Sequence, residues 1–95
     1  MACYIVFTKE SVQDQSELDT YQANVGQTFA GHPVKILAAY GRQETLEGKG
    51  PEGVVIVEFP NAQAAHDWYD GPGYTQVRQH RFKGATYRAT LVEGL

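Results

Sequence analysis

The chain has few of the residues that build covalent, disulfide or nucleotide sites. Its single cysteine, Cys3, lies in a predicted strand without an internal partner, so the fold relies on neither a disulfide nor an oxidising compartment. The only two serines, Ser11 and Ser16, stand away from the predicted strand ends, which argues against a Ser-His-Asp site. The stretch GKGPEG lacks the spacing of a phosphate-binding loop. No signature of covalent catalysis or nucleotide binding is therefore present.

Basic clusters and long apolar runs are also missing. The net charge is −3 and the Lys and Arg residues never form a run, which argues against nucleic acid or an anionic membrane as the main partner. No apolar stretch approaches the roughly 20 residues of a membrane span. The opening MACYIVF is followed at once by Thr8-Lys9-Glu10, unlike a signal peptide. We therefore expect a cytoplasmic protein with no nucleic-acid or membrane partner.

The three histidines, His32, His66 and His80, do not have the spacing of metal ligands. Neither an H-E-x-x-H motif nor a Cys/His pair occurs. His66 and Asp70 stand one helical turn apart, which is typical of a surface pair. We therefore expect no metal site and no cofactor.

Hydrophobic and charged residues make up 42% and 20% of the 95 residues, which is typical of one globular domain spanning residues 1–95. Apolar residues recur at helical spacing between positions 18 and 29, with Asp14 or Ser16 available as a cap, and Asn61 is a second candidate cap. The pattern predicts strands at 3–7, 34–41, 54–59 and 86–94, and helices at 14–29, 61–70 and 74–82.

This order, β-α-β-β-α-β, predicts an α+β protein with a ferredoxin-like fold. Two right-handed βαβ crossovers give a four-stranded antiparallel sheet with the helices on one face. A polar segment of residues 42–53, which we call the excursion, joins the second and third strands.

Both faces of the predicted sheet are apolar. An antiparallel sheet with one face in water should alternate polar and apolar side chains, and the first three strands do not. In the first and third strands, one face is predicted to carry Cys3, Ile5, Phe7, Val55, Val57 and Phe59, and the other Tyr4, Val6, Val54, Ile56 and Glu58. In the second strand, Ile36 and Ala38 are predicted to lie on one face and Leu37 and Ala39 on the opposite face. Because the helices cover one face only, we predict a homodimer whose open sheet faces meet. The alternative is that the excursion folds over the open face.

Several segments resemble the DUF1330 family. They are LEG (46–48), VVIVEFP (54–60), AAHDWYDGPGY (64–74), RFKGA (81–85) and LVEG (91–94), and Asp14 and Tyr21 also match. This family is similar to dimeric α+β barrels, which implies the ferredoxin-like protomer and the face-to-face dimer. Its biochemical role is not established, so the resemblance implies no activity. The chain departs from the family pattern at Pro33-Val34 and at Ala39, where the family often carries a basic residue, which weakens any anion-binding role there.

Glu58 is the first candidate for chemistry, because a carboxylate at the end of an apolar strand needs a partner or a raised pKa. One interpretation makes it a general acid/base, or an anchor for a polar ligand group, in a pocket. The other pairs it with Arg81 or Arg88, or has its carboxylate accept backbone N–H bonds. Arg81 itself pairs with Glu58 or Glu47, or else binds a ligand carboxylate.

Aromatic residues near the second helix complete the candidate site. Trp68 and Tyr40 would form an apolar wall, although Trp68 at its helical spacing is more typical of core. Tyr74 would lie at a cavity mouth with its hydroxyl as a polar contact. The superfamily resemblance adds His80, because some members use an Asn–Trp–His group in cofactor-independent oxygenation. The first strand, CYIVF, offers no Asn for that group.

Two functional hypotheses follow from these residues. In the first, the protein binds or transforms a small aromatic or apolar molecule in a pocket near Glu58, without metal or nucleotide. Glu58 and Arg81 would be its catalytic residues. The residues that would bind the ligand are Tyr40, Glu47, Trp68, Tyr74 and His80. In the second, the protein is a non-catalytic dimerisation module in which Glu58 and Arg81 form structural ion pairs. The residues do not decide whether the protein is an enzyme.

Overall fold

Four strands and three α-helices follow one another in a ferredoxin-like order. The computed structural model describes residues 1–95, with β1 (Cys3–Val12), α1 (Gln15–Asn24), a 3-10 helix (Val25–Phe29), β2 (Lys35–Ala39), β3 (Gly53–Phe59), α2 (Ala62–Tyr69), α3 (Pro72–Gly84) and β4 (Ala85–Glu93). The strands form one antiparallel sheet in the order β2-β3-β1-β4. The predicted α+β fold class is confirmed. None of the helices combines the length and the apolar composition of a membrane span.

Two elements are longer than the local patterns predict. Strand β1 continues through its polar second half to Val12 because it pairs with β4 as far as Ala85, with a bulge between Lys9 and Ser11. Helix α3 spans 13 residues and begins at Pro72, inside the glycine-rich segment expected to separate two helices. Proline suits the first helical turn, since its fixed φ is helical and its missing N–H has no partner there.

The predicted helix caps are confirmed for both helices that carry one. The Asp14 carboxylate accepts from the backbone N–H groups of Ser16 at 3.0 Å and Glu17 at 3.3 Å. A bond from the Ser16 hydroxyl is the largest of the contributions that lower the pKa of Asp14. At α2, the Asn61 side-chain oxygen accepts from the Ala64 N–H at 2.8 Å. Each cap satisfies a backbone donor that the helix leaves free.

The core lies between the helices and one face of the sheet. Trp68 is its centre, with ring centroids 4.0 Å from Tyr74 and 4.9 Å from Phe29. The buried apolar residues are Cys3, Ile5, Phe7, Leu18, Tyr21, Val57, Phe59, Ala65, Trp68, Tyr74 and Ala85. Trp68 is therefore core, as its spacing predicted, and burial raises the pKa of the Cys3 thiol.

The opposite face of the sheet carries apolar side chains that the helices do not reach. Tyr4, Val6, Val54 and Ile56 are half-buried there, because each alternates with a residue of the core face. Val92 on β4 is 49% exposed. Residues 41–49 of the loop between β2 and β3 are all exposed. We call this surface the open face.

The facing predicted for β2 is wrong. Ile36 is the partner of Val57 but Ala38 is the partner of Ile56, so a bulge interrupts the alternation between them. Ile36 therefore lies on the helix side, together with Ala39, and Ala38 lies on the open face. A bulge inserts one residue into a strand and cannot be read from a hydrophobic pattern alone.

Gly84 allows α1 and α3 to touch through their backbones. A Cβ atom at this position would lie 2.7 Å from the backbone N of Leu18 and 3.0 Å from the carbonyl oxygen of Asp14. The Gly84 carbonyl also accepts from the N–H groups of Gln13 at 2.8 Å and Asp14 at 3.0 Å.

We predict that Gly84→Ala lowers the free energy of unfolding by about 1–3 kcal/mol, because the clash is with backbone that must shift. Gly73→Ala on the same helix is the control, since its Cβ would meet only the Thr28 Cβ, at 4.0 Å. It should leave stability unchanged or raise it by about 0.4–1 kcal/mol. Urea denaturation followed by circular dichroism measures both. Equal effects of the two substitutions would contradict the close approach.

Candidate functional site

A cavity of about 630 Å³ lies between the helix layer and the β2–β3 side of the sheet. Its volume is in the range of small-molecule sites. Eleven of its fifteen lining residues are hydrophobic. The lining residues are Phe7, Lys9, Tyr21, Gln22, Val25, Gly26, Phe29, Ile36, Ala39, Tyr40, Glu52, Val55, Val57, Trp68 and Tyr87. We call this space the main cavity.

The main cavity exists because α1 packs on α3 rather than on the sheet. The backbone contact at Gly84 fixes that packing. The strand beneath, β2, offers only the small Ala39 and the half-exposed Ile36 to fill the space. The sheet and the helix layer therefore leave a gap that is apolar on both sides.

Two tyrosines that are far apart in the chain meet at the wall of the main cavity. The hydroxyls of Tyr40 and Tyr87 are hydrogen-bonded to each other. Tyr40 directly follows β2 and has a φ of 56°. Its ring lies so close to Gly53 that a Cβ atom at position 53 would be only 2.6 Å from a ring carbon. The Lys9 ammonium is 5.2 Å from the centre of the Tyr40 ring. Burial, followed by the bond to Tyr40, raises the pKa of Tyr87.

A second tyrosine pair connects the cavity to the core. The hydroxyls of Tyr21 and Tyr74 are 2.8 Å apart, and Tyr21 lines the main cavity while Tyr74 lies behind it. Burial raises the pKa of both phenols, so both stay protonated at neutral pH. The prediction that Tyr74 lies at a cavity mouth is wrong: α3 starts at Pro72 and turns the side chain inward, leaving it 1% exposed.

Arg81 is the buried cation of the protomer. Only 4% of the residue is exposed, and no carboxylate lies within ion-pair distance of it. Its guanidinium is 5.0 Å from the centre of the Tyr87 ring and 5.5 Å from that of Phe7. Its charge acts to lower the pKa values of Tyr21, Tyr74 and Tyr87, against the effect of burial. The expected ion pairs of Arg81 with Glu58 or Glu47 are not formed.

Glu58 does not belong to the main cavity, which corrects the expectation of a pocket beside it. The residue is the partner of Tyr4 on β1 and of Lys35 on β2, and all three lie on the open face. As a hydrogen-bond acceptor and a negative charge, the Glu58 carboxylate raises the pKa of the Tyr4 phenol. Arg88, the other proposed partner, instead contacts Glu10 at 3.0 Å. The sheet itself separates Glu58 from the cavity.

The remaining residues that were predicted for the site do not lie together in one place. His80 on α3 pairs with Glu17 on α1 at 2.6 Å, whereas the Trp68 indole donates to the Thr28 hydroxyl at 3.0 Å. An Asn–Trp–His group is therefore not assembled. Glu47 is exposed in the excursion and forms no ion pair. Of the predicted binding residues, Tyr40 and Trp68 line the main cavity.

The main cavity also uses residues that the pattern did not indicate. Tyr87, Lys9 and Glu52 line it, although none of them was predicted as a site residue. The alternation of β4 could have placed Tyr87 on one face, but its place opposite Lys9 depends on the pairing of β4 with β1, which joins segments far apart in the chain. No group of three His, Cys, Asp or Glu side chains is arranged to hold a metal ion.

The order of elements and the sheet define a ferredoxin-like α+β protomer. The model of the DUF1330 family, a domain of unknown function, matches residues 2–95. The chain therefore belongs to the DUF1330 family. No curated protein matches it.

Solved structures with low sequence identity share this fold. A protein of unknown function from Rhodopseudomonas palustris has a TM-score of 0.78 at 16% identity, covering 99% of this chain and 82% of its own. A dimeric ferredoxin-like protein of unknown function from Bacteroides fragilis has a TM-score of 0.66 at 11% identity, covering 98% and 96%. SnoaB, a cofactor-independent oxygenase from Streptomyces nogalater, has a TM-score of 0.62 at 14% identity, covering 99% and 93%. These similarities show the fold.

The buried phenols predict a loss of stability at high pH. Burial raises the pKa values of Tyr21 and Tyr87 above the 10.0 of an exposed tyrosine, so the folded state holds these protons more tightly than the unfolded state. The stabilisation is complete below pH 10 and is lost as the pH rises above it. Each proton contributes a slope of up to about 1.4 kcal/mol per pH unit.

Denaturant unfolding between pH 8 and pH 11 measures this loss. Tyr87→Phe should reduce the slope above pH 10, because phenylalanine does not titrate. A free energy of unfolding that stays constant up to pH 11 would show that these phenols are not protected from ionisation.

Proposed function

We propose that this protein binds a small aromatic or apolar molecule with one polar group in the main cavity. The observation that supports this most directly is an apolar space of about 630 Å³ whose wall carries hydrogen-bonding phenols. Phe29, Val55 and Trp68 would hold the body of the ligand by contact and by exclusion of water. The proposal does not require a metal or a nucleotide.

Tyr40 and Tyr87 would bind the polar group of the ligand. Their hydroxyls bond to each other in the free protein, so a ligand oxygen can replace this bond and accept from one of the two phenols. Lys9 and Glu52 add one positive and one negative charge to the lining. The site therefore favours a ligand with a hydroxyl or carbonyl group over a plain hydrocarbon.

The phenols would act as donors rather than as bases. A phenol is protonated at neutral pH, and burial raises the pKa values of Tyr21 and Tyr87 further, so both can orient a ligand oxygen as donors. The fold shared with the oxygenase SnoaB is compatible with a reaction in such a cavity, but the fold alone does not carry an activity. Binding is the function that the geometry supports.

We predict that 1-naphthol, an aromatic ring system with one hydroxyl, raises the melting temperature and shifts the indole N–H resonance of Trp68. That resonance is unique, because the chain has one tryptophan and it lines the cavity. Ala39→Leu narrows the cavity and should weaken binding by about tenfold or more, equivalent to about 1.4 kcal/mol.

Ala23→Leu, at an exposed alanine of α1 outside the cavity lining, is the matched control and should bind as the parent does. If 1-naphthol moves neither the melting temperature nor the indole resonance, or if both variants bind equally, the main cavity is not the binding site.

We also propose that two copies pair through the open face. Val6, Val54 and Ile56 present a continuous aliphatic patch that the helices cannot cover. Structurally similar proteins from Bacteroides fragilis and Thermobifida fusca are described as dimeric. A second copy related by a two-fold axis offers the same patch in return. We propose separately that the protein is cytoplasmic, as the sequence predicts.

Ile56→Lys should weaken the dimer about a hundredfold or more, because pairing would then desolvate two ammonium groups. Sedimentation velocity at several protein concentrations measures the effect. Gln76→Lys, on an exposed position of α3, is the control and should remain dimeric. A parent protein that sediments as a monomer at every concentration would refute the pairing.

A further inference from the structure

A second cavity lies between α3 and the edge strand β4, and it shares only Tyr87 with the lining of the main cavity. Helix α3 ends at Gly84 and β4 starts at Ala85, so the two elements diverge from a common corner. The space between them is about 330 Å³, and its lining includes Arg81, Phe82 and Tyr87. We call it the α3–β4 cavity.

Arg81 lines the α3–β4 cavity as an unneutralised cation. The residue is 4% exposed, its Nε–H has no acceptor, and no acidic side chain pairs with it. Its immediate surroundings are the rings of Phe7, Phe82 and Tyr87, all with centres within 5.5 Å of the guanidinium. Aromatic faces attract a cation but give its Nε–H no acceptor. A hydrogen bond from Arg81 also acts to lower the pKa of the Tyr74 phenol, so part of the guanidinium's donor capacity is used within the protein.

Neither α3 nor β4, which border the α3–β4 cavity, places a carboxylate beside Arg81. Helix α3 contains no Asp or Glu, and the only acidic residue of β4 is Glu93 at its far end, opposite Cys3. A second guanidinium, that of Arg78, lies 5.7 Å from the centre of the Phe82 ring and also has an Nε–H without a partner. Two cations thus flank one aromatic ring, and both have unused donors.

We propose that the α3–β4 cavity binds the carboxylate of a small aromatic acid. Arg81 would donate to the carboxylate, and the rings of Phe82 and Tyr87 would contact the planar body of the acid. Phe82 is 53% exposed, which gives an aromatic ring at the rim for an incoming ligand. The aromatic and alanine lining suits a planar organic acid better than a hydrated inorganic anion.

Benzoate is the probe, with benzamide as its neutral counterpart of the same shape. Benzoate should shift the backbone amide resonances of Thr86 and Ala89, which line the cavity, and should bind at least tenfold more tightly than benzamide. Arg81→Met should reduce benzoate affinity by about tenfold or more while leaving the weak benzamide response unchanged. Arg88→Gln removes an 81% exposed cation elsewhere on the sheet and should have no effect.

Ala89→Leu tests the same site without removing the cation, and it decides the matter if Arg81→Met does not fold. Ala89 is an exposed residue of the edge strand, so a larger side chain can be accommodated while occupying the cavity. It should abolish the benzoate response, whereas Ala39→Leu in the main cavity should not change it. Equal responses to benzoate and benzamide, shifts centred on the main cavity, or unchanged benzoate affinity in Ala89→Leu would each overturn the proposal.

Discussion

The close approach of α1 to α3 at Gly84 determines where the protomer is filled and where it is hollow. Because no side chain stands between the two backbones, α1 rests on α3 and not on β2 and β3. The same contact brings Tyr21 of α1 against Tyr74 of α3 and leaves the main cavity beneath α1. Leu18, at the point of contact, is 1% exposed. A single glycine thus links the packing of the helices to the position of the candidate site.

A buried positive charge organises the polar groups within this apolar interior. Arg81 has no carboxylate partner, and its charge acts on Tyr21, Tyr74 and Tyr87 from one side of the sheet. Burial still raises the pKa values of these phenols, so desolvation outweighs the attraction of the cation. The interior therefore offers neutral hydroxyl donors to the main cavity and an unpaired guanidinium to the α3–β4 cavity.

The order of elements, the caps at Asp14 and Asn61 and the burial of Trp68 were predictable, because each depends on residues close together in the chain. The predicted site was less accurate. Tyr40 and Trp68 do line the main cavity, but Glu58 lies on the other side of the sheet. Strand alternation already separated Glu58 from Val57, yet it did not show that the pocket would form on the Val57 side.

Local patterns in this chain determined a four-stranded antiparallel sheet that is apolar on both faces and covered by helices on one, since side-chain periodicity and helix signals are properties of short segments. The tertiary structure alone decided that Tyr40 meets Tyr87, that Arg81 is buried without a carboxylate, and that Ile36 joins Ala39 on the helix side. These outcomes depend on bulges and helix contacts that join residues far apart in the chain. No periodicity within one segment records which distant side chain will be its neighbour.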